Sequence, residues 1–143
     1  TIYKGSADFV SLESEIAYLE DYIELHKIRY QKQVEISMVK ELAHPHKIAP
    51  ILLIVPLENA FKHGVEKLTE NAFINLEIKT TASQILFRIS NNYESTKEQN
   101  GGLGLENFKK RLALIYPDKH ELTINQTSTS YELSLAIEII WTT

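Results

Sequence analysis

Four stretches in the second half of this chain place apolar side chains at every second position, which commits it to a sheet with one buried face. Ile74, Leu76 and Ile78 form the first run, Ile85, Phe87 and Ile89 the second, and Leu122 with Ile124 the third. Tyr131, Leu133, Leu135, Ile137 and Ile139 form the last. Successive side chains of a strand point to opposite faces, so each run offers one apolar face and one polar face. Thr80-Thr81-Ala82-Ser83 joins the first two as a hairpin, and the last two runs close the chain as a second hairpin. Upstream, Val34, Ile36 and Met38 alternate with Glu35 and Ser37 and predict one more short strand.

A sheet that is apolar on one face needs a cover, and three segments offer one. From Ser11 to about Tyr30, Leu12, Ile16, Leu19, Ile23 and Tyr30 recur in steps of four and three, with His26 in the gap, and predict a helix with a heptad-like seam. Ser11 suits its N-cap, and Glu13 with Glu15 in the first turn complements the positive end of the helix dipole. Tyr18, Tyr22 and Leu25 form a second stripe. Two readings stand open: the helix touches two different partners, its seam meeting a second copy of the chain, or both stripes pack on the chain's own sheet. Pro50 to about His63 reads as a second helix, apolar all round at Ile51-Leu52-Leu53-Ile54-Val55, kinked at Pro56 and ended by Gly64. A third is expected from about Leu105 to Ile115, with Leu105, Phe108, Leu112 and Ile115 on one face. The expected fold class is therefore α/β, a two-layer sandwich whose mixed β-sheet is covered on one face by helices.

Composition narrows the function. A chain of 143 residues is the size of one domain and buries a core without staples. It has no cysteine, so disulfide frameworks and thiolate sites are out, in keeping with a reducing compartment. A net charge of -4 without clustered Lys and Arg argues against a hold on nucleic acid. The longest apolar stretch, Ile48 to Leu57, is interrupted by Pro50 and Pro56 and is too short for a bilayer span, so no direct membrane contact is expected. The absence of an initiator Met and of a signal-like start points to a fragment of something longer.

Two polar segments carry the chemistry. Glu58, Asn59, Lys62 and His63 follow the apolar turns of the second helix; Glu58 lies one turn from Lys62 and Asn59 one turn from His63, so the four share a broad face. Oxygen donors such as Glu and Asn suit Mg²⁺ held jointly with substrate phosphates, and a carboxylate there can accept a proton. The plainer alternative is an amphipathic helix end with a Glu58–Lys62 ion pair. The second segment is Asn100-Gly101-Gly102-Leu103-Gly104-Leu105-Glu106-Asn107, a glycine-rich approach to a helix N-terminus and thus a candidate anion site. It ends the long polar loop from Asn91 to Gly104, a length that points to function or disorder.

In this order and at this distance the two segments resemble the N box and second glycine box of the GHKL (Bergerat-fold) ATPases, and most closely the LytS-type sensor histidine kinases. Pro56-Leu57-Glu58-Asn59-Ala60-Phe61-Lys62-His63-Gly64 is similar to the first box, and Gly102-Leu103-Gly104-Leu105-Glu106-Asn107 with Arg111-Leu112 to the second. Leu12, Glu15-Ile16, Tyr22-Ile23 and Arg29 resemble the helix that precedes the ATP domain in these kinases. The resemblance implies a division into residues 1–31, the end of a dimerisation and phosphoacceptor region, and 32–143, an ATP-binding catalytic domain. It implies ATP and Mg²⁺ as cofactors, with Asn59 on the metal and Glu58 in proton abstraction or polarisation. Lys62 and His63 would lie beside the phosphates, with Asn91, Gly102, Gly104, Leu105 and Asn107 as nucleotide-binding positions and the glycines allowing a lid to close. The implied partners are a response regulator receiver domain and, in the intact membrane-anchored kinase, a second copy; this part would sit in the cytoplasm.

Two departures accompany the resemblance. Where the family carries Asp-x-Gly or Asp-Asn-Gly for adenine, this chain has Ser90-Asn91-Asn92-Tyr93. Asn91 still offers a carbonyl oxygen to the adenine amine, without the strength of a carboxylate. No His-Phe-x-x-Asn-like acceptor motif occurs, and His26, His44, His46 and His120 are not expected to serve, so the chain alone should not autophosphorylate. Two rivals stay open: a degenerate module that scaffolds or dimerises, favoured by Asn91 and Tyr93, and a GHKL kinase acting on serine, disfavoured by the LytS-like helix.

Overall fold

The alternating runs build one five-stranded mixed sheet in a computed structural model that describes residues 9–29, 34–65, 68, 70–94 and 102–139. In chain order the elements are β1 (Val10–Ser11), α1 (Leu12–Arg29), β2 (Val34–Leu42), β3 (Lys47–Ile48), α2 (Ile54–Lys62) and β4 (Ala72–Thr80). They continue with β5 (Gln84–Asn92), α3 (Gly102–Ile115), β6 (His120–Gln126) and β7 (Ser130–Glu138). The sheet runs β2-β4-β5-β7-β6, with β2 parallel to β4 and every other pairing antiparallel. β1 and β3 form a separate antiparallel pair, too short to leave a periodic trace in the sequence.

Register stacks the apolar positions in rows on one face. Leu76 stands opposite Ile89, Ile89 opposite Leu133 and Leu133 opposite Ile124, while Ile78, Phe87, Leu135 and Leu122 form the next row. The three helices bury that face: Leu19, Leu57, Phe61, Phe108 and Leu112 join it in a single core. The opposite face is polar, with Lys79–Glu77 and Arg88–Glu132 pairs at 3.7 and 3.3 Å that are exposed and contribute little to stability.

Helix α1 is part of this core. Leu12, Ile16, Leu19 and Ile23 are all buried among the chain's own sheet and helices, so the packing reading of the seam holds and the seam is not free to contact a second copy. Tyr30, and the division expected at residues 31 and 32, lie outside the described residues. The second stripe stays largely outside: Tyr18 and Leu25 are exposed and Tyr22 is half-buried. Ser11 caps the helix as expected, its Oγ accepting from the Ser14 N–H at 3.1 Å.

The expected helix from Pro50 begins later, at Ile54. Residues 50–53 form a turn in which Ile51 has φ 55 and is exposed, whereas Leu52 and Leu53 are fully buried. A β-branched residue at positive φ is strained by roughly 1–3 kcal/mol and needs outside support. Two charged side chains supply it. The Glu15 carboxylate, 3% exposed, accepts from the N–H groups of Ile51, Leu52 and Leu53 at 3.0, 2.8 and 2.9 Å. Arg111 of α3 donates to the carbonyls of Ile51 and Pro50 at 2.7 and 2.6 Å. Glu15 thus serves the entry to α2, 36 to 38 residues on, and not only the dipole of its own helix. Pro56 produces no kink, because it falls in the first turn of α2, where its missing N–H removes a donor that would have had no helical partner.

Two expected outcomes follow from this packing. Leu19→Ala should cost about 3 kcal/mol in chemical denaturation while Leu25→Ala stays within about 0.5 kcal/mol; equal effects would contradict the placement of the seam in the core. Glu15→Ala, which leaves up to three backbone donors without an acceptor, should also cost about 3 kcal/mol, and a loss below about 1 kcal/mol would show that water replaces the carboxylate.

Candidate functional site

The polar end of α2 is held from behind by an aromatic stack. Phe61 is fully buried, with Tyr22 edge-on at 5.6 Å and His26 at 5.2 Å; His26 in turn stacks on Tyr22 at 3.9 Å and donates from Nδ1 to the Tyr22 carbonyl at 3.1 Å. Of the two roles open to His26, packing or surface, it has the packing one. With Leu57, Ala60 and Phe61 turned into the core, the intervening positions face outward: Glu58 and Asn59 are half-buried, Lys62 and His63 exposed. No ion pair joins Glu58 to Lys62 among the described residues. His63 is the C-cap, its N–H bonded to the Asn59 carbonyl at 2.9 Å.

Gly64 carries the chain from α2 onto the end of β5. A Cβ at this position would lie 2.2 Å from Asn91 Nδ2 and 2.5 Å from the Ala60 carbonyl, so only glycine permits the approach. The glycine expected to stop the helix thus also sets the end of α2 against Asn91. Asn91 is 3% exposed and donates from Nδ2 to the Asn92 carbonyl at 2.9 Å. That bond fixes the amide's orientation, since a flipped amide would set two carbonyl oxygens against each other. Asn92 faces the other way, accepting from the Phe73 N–H at 2.9 Å and donating to the Asn71 carbonyl at 2.6 Å, which seals the start of β4.

Tyr93, in place of the family's glycine, is anchored at the turn between β6 and β7. Its N–H donates to the Thr129 carbonyl at 3.0 Å, its hydroxyl donates to the Thr127 carbonyl, and Gln126 Nε2 donates to that hydroxyl at 3.2 Å. Residues 95–101, which include most of the expected lid loop, lie outside the described residues. Gly102 and Gly104, expected in that loop, fall in the first turn of α3; nothing stands within 4 Å of a Cβ built on Gly104. Leu105 turns into the core and Asn107 is exposed. α2 packs against both α3 and β5.

One further group at this end escaped the sequence reading. Tyr131, the first apolar position of the last alternating run, pairs in register with Asn91 and therefore shares its face. Its hydroxyl is closed off from solvent and has no hydrogen-bond partner among the described residues, and burial pushes the phenol up to about 12. The sequence signal was available in principle: tyrosine occupies a place in the run where a purely apolar residue would fill the core without a polar atom.

No family model matches the chain. Sensor histidine kinase BtsS of Escherichia coli (strain K12) is 27% identical over 134 residues, covering 90% of this chain and 23% of BtsS. Sensor protein LytS of Staphylococcus saprophyticus subsp. saprophyticus is 23% identical over 143 residues, covering 90% of this chain and 24% of LytS. The chain thus spans about a quarter of the length of these relatives. In fold it is similar to the mycobacterial sensor histidine kinase MprB, with a TM-score of 0.64 at 10% identity over 91% of this chain and 95% of that one. The catalytic domain of histidine kinase ThkA gives a TM-score of 0.61 at 12% identity over 91% and 95%. No helix among the described residues is long and apolar enough to cross a membrane. In its relatives and in its fold, the chain fits the GHKL catalytic domain of a LytS-type sensor histidine kinase.

Proposed function

We propose that this chain binds Mg²⁺·ATP and presents the γ-phosphate to a histidine outside it, for relay to the receiver domain of a response regulator. The observation that carries the reading is the junction of Gly64 with Asn91, which sets the end of the polar helix against the strand end where the family resemblance puts the adenine. The residues present fit such a ligand. Gly64 lets the Asn91 amide sit against the end of α2, Asn91 keeps an acceptor oxygen, and Glu58 and Asn59 present oxygen donors on a half-buried face.

On this reading each side chain has a task matched to its chemistry. Asn59 supplies a neutral oxygen ligand, and Glu58 accepts the proton released by an attacking imidazole or polarises it. Lys62 and His63, exposed at the end of α2, direct positive charge and N–H donors at phosphate oxygens. The N–H groups opening α3 at Gly102 and Gly104 add anion-binding capacity, with Leu105 buried to hold that turn and Asn107 exposed one turn beyond the helix start. When bound, the metal neutralises phosphate charge, which with positioning accounts for most of phosphoryl-transfer catalysis. In the intact kinase this part works in the cytoplasm within a homodimer, whose contact helix must use residues other than Leu12, Ile16, Leu19 and Ile23, since the core already encloses them.

Isothermal titration with a non-hydrolysable ATP analogue and Mg²⁺ tests the reading. The wild type should bind, Asn59→Ala should weaken binding by about a hundredfold, and Gly64→Ala should also bind markedly worse because its methyl displaces Asn91. No binding by the wild type at millimolar nucleotide would overturn it and leave the scaffold reading in its place, and binding untouched by Asn59→Ala would overturn the metal role given to Asn59.

A further inference from the structure

At one end of the sheet's inner face Asn91 and Tyr131 stand side by side in register, beyond the apolar rows. Cβ atoms of directly opposed residues lie roughly 5 Å apart, so the two side chains address neighbouring points of one ligand. Asn91 Nδ2 is engaged by the Asn92 carbonyl, which leaves Oδ1 as an acceptor with no bond among the described residues. Beside it, the Tyr131 hydroxyl is buried without a partner among the described residues. Native proteins seldom keep such a group, because its desolvation is uncompensated; phenylalanine would serve the strand and core equally well.

An acceptor next to a free O–H donor is the complement of one base edge. Adenine offers an exocyclic amine flanked by unprotonated ring nitrogens, whereas guanine presents a carbonyl oxygen in the amine's place, which would oppose Asn91 Oδ1. We propose that Tyr131 is a base-reading residue: its hydroxyl donates to a ring nitrogen beside the adenine amine while Asn91 Oδ1 accepts from that amine. This rests on the ATP reading above and adds a second contact where a carboxylate is missing. The high ionisation point of the buried phenol keeps it protonated, and so a donor, across the physiological range.

The experiment compares wild type, Tyr131→Phe and Asn59→Ala by isothermal titration with Mg²⁺ and a non-hydrolysable ATP analogue, and repeats it with the 1-deaza and 7-deaza forms of that analogue. Tyr131→Phe should bind the parent analogue about tenfold more weakly and match the wild type on one of the two deaza forms, where the acceptor nitrogen is gone. Its melting temperature without ligand should equal or exceed that of the wild type, since the variant removes an unpaired polar group. Unchanged affinity for the parent analogue, an equal loss on all three, or a lowered melting temperature would each overturn the proposal. Wild-type binding that Asn59→Ala abolishes and Tyr131→Phe leaves intact would remove this inference alone, whereas a wild type that binds none of the three removes the ATP reading and this one with it.

Discussion

The turn at Ile51 is the point on which the arrangement depends. Its backbone adopts a conformation unfavourable for a β-branched residue, and it is held there from both sides, by Glu15 on its N–H and Arg111 on its carbonyl. Helix α2 has no side-chain cap of its own at Leu53; the Glu15 carboxylate takes that N–H as well. One residue from the first helix and one from the last thereby fix where the helix carrying Glu58 and Asn59 begins. Because a helix is rigid over nine residues, fixing its start and anchoring Phe61 under Tyr22 and His26 also fixes where its polar end points.

That polar end meets the sheet at Asn91, and the local chemistry explains why an amide is at home there. Its Nδ2 donates to the Asn92 carbonyl, a contact that a carboxylate could not make without repulsion. The side chain is therefore oriented in advance, with the acceptor oxygen left over; on the proposed nucleotide reading, part of what a charged acceptor gives in strength is recovered as lower ordering cost on binding. Gly64 belongs to the same arrangement: any side chain there would displace the amide and undo that orientation.

Much of the sheet was legible because a strand's period is short and its two faces differ. The runs at 74–78, 85–89 and 122–124 became strands with the expected face inward, as did the run from 131, whose strand ends at Glu138, one residue short of Ile139. The helices were less transparent. A stripe such as Leu12, Ile16, Leu19 and Ile23 declares that it is buried and says nothing about what buries it; the sheet of the same chain does so here. At Ile51 to Val55 the apolar run has no period, so the turn and the late start of α2 could not be seen. Glu15 was read through its neighbours in sequence, although its partners lie 36 to 38 residues away. The polar motif at 58–63 was legible as a motif, whereas its meeting with Asn91 is a tertiary fact, and Tyr131 was concealed as one more member of an alternating run.

The placement of α1 changes what kind of part it is. A helix appended to a catalytic domain could be removed or could swing without disturbing the fold; this one supplies four core side chains, the clamp on the α2 entry and two rings behind Phe61. Displacing it would expose apolar surface and release Ile51 from its strained conformation together, so shifts of α1 and of the Glu58–Asn59 helix are energetically tied. Coupling of this kind needs no long relay. It passes through one carboxylate and one aromatic stack, both in direct contact with the two helices they connect.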